Sequence, residues 1–126
     1  MARWDKILHR LKNTKFETPI KAIFLQEHNL KNPAEAKKLA VEYGFHMFAV
    51  PLNSRTPKGG TAILIPKGQL ETNPRESHHE ALARVKSTIR ALPDGRGIAC
   101  DTLIHGHMRR IASVYAPADP ALRVAF

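Results

Sequence analysis

Glu27, which closes the apolar run Phe24-Leu25-Gln26-Glu27 just before His28, is the residue of this chain best placed to hold a cation. A strand that delivers a carboxylate to a sheet edge builds the kind of corner where metal sites are made, because carboxylate oxygens are hard, charged donors. A solitary strand-end glutamate also matches an ordinary solvated surface, so its companions matter. Two further segments reach strand ends downstream, Lys58-Gly59-Gly60-Thr61-Ala62-Ile63-Leu64-Ile65 and Arg110-Ile111-Ala112-Ser113-Val114-Tyr115-Ala116-Pro117. The first places its lysine before the glycines, whereas a nucleotide phosphate loop needs Gly-x-x-x-x-Gly-Lys-Ser/Thr, so its glycines are expected to open an inner strand instead. The second ends near Tyr115, an aromatic with a polar tip suited to an interface or to water. Among the histidines, His78-His79 and His105-Gly106-His107 lack third and fourth ligands at zinc spacing and read as solvated loops and turns. Asp101 falls inside a strand pattern and Asp119 precedes a proline as a helix cap, so neither supplies a second metal ligand.

Positioning these residues requires an alternation of helices and strands. Trp4, Ile7, Leu8 and Leu11 recur at helical spacing opposite Arg3, Lys6, Arg10 and Lys12, an amphipathic helix expected to pack on a sheet rather than lie on a membrane surface. Pro19 precedes a strand from Ile20 to Gln26. Asn32-Pro33-Ala34-Glu35 reads as N-cap, N1 proline and N3 glutamate of a second helix, with Ala36, Leu39, Ala40 and Tyr43 as its buried stripe and Gly44 as its stop. Strands over Phe45–Val50 and Thr61–Ile65 flank the basic connector Asn53-Ser54-Arg55-Thr56-Pro57-Lys58. Between residues 76 and 92, Leu82, Val85, Ile89 and Leu92 fit a helix while 85–91 alternates as a strand, so a short helix running into a strand is expected. Pro93-Asp94-Gly95 is a turn signal, and Ile98–Ile104 and Met108–Ala116 form a hairpin through His105-Gly106-His107. This order of elements is that of an α/β or α+β fold.

Composition narrows the partners. The chain has 126 residues, 43% of them apolar, with 20 Lys and Arg against 11 Asp and Glu for a formal charge of +9. Such an excess concentrates polyanions at the surface and favours nucleic acid, although a merely basic protein has the same balance. The single cysteine, Cys100, excludes an intrachain disulfide and a paired-cysteine zinc site, and it points to a reducing, intracellular setting, nuclear or cytoplasmic. No apolar run is long enough for a signal core or a membrane span, so neither secretion nor membrane embedding is expected.

Taken in order, Gln26-Glu27, Lys58-Gly59-Gly60 with its strand, and Tyr115-Ala116-Pro117 with its strand resemble the endonuclease/exonuclease/phosphatase superfamily. Deoxyribonuclease I, abasic-site endonucleases and the endonuclease domains of non-LTR retroelements belong to it, the last being the closest in kind. The resemblance implies a four-layered α/β sandwich that hydrolyses DNA phosphodiesters with Mg²⁺, or Mn²⁺ in its place. It implies Glu27 as metal ligand and catalytic residue, Tyr115 as a catalytic group near the scissile phosphate, and Gln26, Arg55 and Lys58 as substrate-binding groups. His28-Asn29 stands where the family more often has Thr-His, and Arg123 and Phe126 fit a loosely spaced Arg and Phe.

The same comparison defines what is missing. The family's first strand with its Asn, the Gly-Asp-x-Asn segment and the Ser-Asp-His segment have no counterpart in residues 1–126, and Asp119-Pro120 with Leu122, Val124 and Phe126 opens a helix of scarcely two turns. The expectation is therefore an incomplete domain, truncated to its N-terminal half, inactive alone and self-associating through an uncovered sheet face that would expose Phe24-Leu25 and Ile63-Leu64-Ile65. A noncatalytic basic nucleic-acid-binding remnant and a small protein-interaction module are the alternatives. DNA is the expected partner ahead of RNA.

Overall fold

A computed structural model describes residues 2–26, 34–49, 61–92 and 97–114, with side chains from Trp4 onward. Helix α1 spans Ala2–Asn13, and its apolar stripe is the expected one: Trp4 and Leu8 are buried, with Leu11 packed beside them. The helix ends where Asn13 donates from its side chain to the His9 carbonyl and Thr14 donates to that of Arg10. Strand β1 covers Ile23–Gln26, three residues shorter at its start than the apolar pattern predicts, because only from Ile23 does the chain pair with β3. Helix α2 (Ala34–Glu42) buries Ala36 and Ala40. Gly44 terminates it with φ +89, a left-handed geometry that glycine adopts without steric cost. The Tyr43 hydroxyl donates to the Asp5 carboxylate and so ties the end of α2 to the first turn of α1.

Strands β2 (Phe45–Ala49) and β3 (Thr61–Pro66) complete a three-stranded antiparallel sheet in the order β1-β3-β2. Side chains alternate across β3. Ala62 and Leu64 join Trp4, Leu8, Ala36 and Ala40 on the helical side, while Ile63 and Ile65 face the opposite side. After a short 3-10 turn at Lys67–Gln69, helix α3 (His78–Ser87) opens with a capping box: Ser77 Oγ accepts from the Glu80 amide and Glu80 accepts from the Ser77 amide. Glu76 grips Arg84 through two 2.9 Å hydrogen bonds.

The second sheet runs β4 (Arg90–Ala91), β5 (Gly97–Ile104) and β6 (His107–Val114), all antiparallel and in that order. A helix does run into a strand over 76–92, and Thr88 marks the transition by accepting a hydrogen bond from the Asp101 amide at 2.8 Å. His105 and Gly106, with φ of 51 and 78, alone make the hairpin turn, and His107 pairs with Ile104. Positive φ at both central residues is the two-residue hairpin geometry whose twist matches that of the strands.

Ile98 and Cys100 of β5 meet Phe48, Ile63 and Ile65 of the first sheet, with Ala81 and Val85 of α3 closing the same cluster. The described chain is thus an α+β arrangement of two small antiparallel sheets and three helices, with α1 and α2 on the outer face of the first sheet. This corrects one expectation. Ile63, Leu64 and Ile65 are at most 1% exposed, because β3 is the central strand and is covered on both faces, whereas Phe24 on the edge strand β1 is 45% exposed as expected. Among the described residues no helix is long and apolar enough to cross a membrane.

Candidate functional site

Sheet register brings several chain segments to one end of the molecule. Gln26 pairs with Thr61 and Ala49 with Ala62, so β1 and β2 end where β3 begins. In the other sheet Gly97 pairs with Val114, so β6 ends where β5 begins. The two ends are fastened together: Gln26 Nε2 donates to the Val114 carbonyl at 2.6 Å. Glu27 follows Gln26 in sequence, Tyr115 follows Val114, and Arg55 and Lys58 lie between Ala49 and Thr61. Those four lie outside the described residues. Gln26 alone of the expected site residues is described, and its side-chain amide is engaged in joining the sheets.

Two groups at this end were not singled out by sequence. Thr61 Oγ1 and Ser113 Oγ are buried without a hydrogen-bond partner among the described residues. Thr61 is the register partner of Gln26, and Ser113 immediately precedes Val114. A buried hydroxyl left unpaired costs about 1–3 kcal/mol, and such groups are uncommon enough in folded proteins to call for a reason. Hydroxyls can donate to or accept from a ligand oxygen. The signal was present in the sequence as a polar residue at the core-facing position of each strand, Thr61 in register with Ile63 and Ile65, and Ser113 with Ile111. Gly97 belongs to the same end: a Cβ there would lie 2.2 Å from Leu92 Cδ1 and 3.1 Å from the Ser113 carbonyl oxygen, so a side chain at this position would have to displace Leu92.

Several other polar and charged groups have structural roles. Asp101 accepts two hydrogen bonds from Arg110, at 2.8 and 3.2 Å, which holds its carboxyl below the usual range and accounts for it inside β5. Glu71 accepts the Gly106 and His105 amides at 2.8 and 2.7 Å and pairs with Lys21 at 3.2 Å, so it fastens the hairpin turn. Those amides and then the Lys21 ammonium lower its pKa. Burial pushes the Cys100 thiol up to about 11, which suits a core residue and not a nucleophile. His78 does meet another histidine, with Nε2 2.9 Å from His46 Nε2, a pairing across 32 residues that spacing could not reveal.

A resident Mg²⁺ would need a shell of six or so oxygens. The family resemblance implies one carboxylate ligand for it, Glu27, and among the described residues no three His, Cys, Asp or Glu side chains converge to hold an ion. That donor set does not fill the shell. Comparison of the chain with protein-family models, curated proteins and solved structures finds no match.

Proposed function

We propose that this chain carries part of a divalent-metal phosphodiesterase domain of the endonuclease/exonuclease/phosphatase kind, of the retroelement-associated type, and that by itself it binds DNA phosphates without hydrolysing them. The observation that carries the reading is the hydrogen bond between Gln26 and Val114. It joins the ends of two strands from which Glu27 and Tyr115 directly follow, although the residues are separated by most of the chain. Loops leaving one end of a rigid scaffold are where binding and catalytic groups concentrate. Two buried hydroxyls at the same end, unpaired among the described residues, and a net charge of +9 favour a polyanionic, oxygen-rich ligand there.

Supercoiled plasmid DNA tests both halves of the reading in one assay. The expected result is retarded migration at low salt with no nicking above background, with or without Mg²⁺. Mg²⁺-dependent nicking that Glu27→Ala abolishes would show a competent active site and overturn the second half. Absence of any DNA retention at low salt would overturn the first and favour a protein partner.

A further inference from the structure

A groove of about 360 Å³ lies beside the edge strand β2, between α2 and α3. Its floor is apolar, made by Met47, Phe48, Leu82 and Ile89. Three lysines from three different segments line it: Lys37 of α2, Lys67 after β3 and Lys86 of α3. His46 of β2, 8% exposed, completes the polar lining. We infer that this groove binds a small organic anion, an apolar body bearing a phosphate or carboxylate head group.

Its size falls at the lower end of the roughly 300–1,000 Å³ typical of small-molecule sites, and its composition, mostly apolar with a few polar groups of one sign, is the usual one. Among the described residues no Asp or Glu lines it. Lys67 donates one hydrogen bond to the Val41 carbonyl at 2.9 Å and keeps further N–H groups for a ligand. The side chains of Lys37 and Lys86 make no hydrogen bond or ion pair with the described residues. Three lysines at one groove, with no acidic residue lining it among the described residues, make it electropositive, and a bound anion offsets that charge.

His46 already registers the field. Its pKa is lowered to about 4, first by burial and then by His78, Lys67 and Lys86. The groups facing it are His78 and Lys86 from α3 and Lys67 from the segment after β3, with Lys37 of α2 across the groove. An anion seated among the lysines offsets their repulsion, so the His46 pKa rises on binding and affinity increases as the solution is made acidic.

The experiment is an NMR titration of the full chain with phenyl phosphate, benzoate, inorganic phosphate and benzyl alcohol. Saturable shifts of the His46 ring and of the Met47 and Leu82 methyls are expected with phenyl phosphate or benzoate, and the tighter of the two identifies the head group. Benzyl alcohol should produce none. Lys86→Glu and Lys37→Glu, both at exposed positions, should each weaken binding by about tenfold while Lys86→Arg retains it, and the His46 titration midpoint should move upward in saturated protein. The inference is overturned if neither organic anion saturates, if benzyl alcohol or inorganic phosphate binds as tightly as they do, or if charge reversal leaves affinity unchanged. Duplex DNA retention is a separate readout, so loss of phenyl phosphate binding in Lys86→Glu with DNA retention kept distinguishes this groove from the end of the sheets at Gln26.

Discussion

Gln26 and Val114, 88 residues apart in sequence, are joined by a 2.6 Å hydrogen bond from a side-chain amide to a backbone carbonyl. The bond fastens the last residue of β1 to the last residue of β6 and so couples two sheets whose strands otherwise pair only among themselves. Gln26→Ala removes the donor and should lower unfolding free energy by about 0.5–1.5 kcal/mol. Gln26→Glu should cost at least as much, because a carboxylate facing a carbonyl repels it. Urea denaturation of both variants checks this, and unchanged midpoints in both would show that the contact does not hold the sheets together.

Acid should destabilise the fold in two separable windows. The Glu76 carboxyl is held at about 2, chiefly by Arg84 and then by the Asn73 amide, against an ordinary value of 4.5. Its contribution is therefore fully present above pH 4.5 and is lost as pH falls toward 2. His46, lowered from 6.5 to about 4, stays neutral in the fold while the unfolded chain takes up a proton, so stability declines from pH 6.5 down to about 4. Glu76→Gln should shrink the lower window, to which Asp101 and Glu71 also contribute, and leave the upper one, whereas His46→Gln should flatten the upper one only. Stability curves against pH for the two variants that coincide with the wild type would sink the assignment.

Core and surface apolar residues should respond differently to truncation. Ile63, wholly buried between the sheets, should lose about 2–5 kcal/mol as Ile63→Ala. Phe24, 45% exposed on an edge strand, should lose much less as Phe24→Ala, and dye binding to exposed apolar surface should fall in that variant. Equal costs at the two positions would contradict the central placement of β3.

DNA affinity should depend steeply on salt. If several Lys and Arg contact phosphates, raising salt from about 50 to 200 mM should weaken binding tenfold or more, with little preference among sequences. Fluorescence anisotropy with two unrelated duplexes measures both quantities. Affinity that is flat across the range would reject phosphate contact as its source.

Cys100 should be inert in the folded chain, since burial disfavours its thiolate and hides the sulfur. A thiol reagent should label it at the rate of unfolding, and immediate labelling in native buffer would place it outside the core.

What the sequence determined by itself was local. The stripe Trp4, Leu8 and Leu11, the stop at Gly44, the strand Thr61–Ile65 and the hairpin around His105-Gly106 follow from periodicity and from the few residues that tolerate positive φ, interactions that span at most a few neighbours. The class of fold followed from their order. Tertiary structure decided what depends on contacts distant in sequence. It placed β3 between two layers, so that Ile63, Leu64 and Ile65 are interior and not an uncovered face. It also paired Gln26 with Val114, His46 with His78, and Glu71 with the amides of a turn more than thirty residues away. Periodicity states which face of a strand is apolar; only the packing of the whole chain states what covers that face and which polar groups are left there without partners.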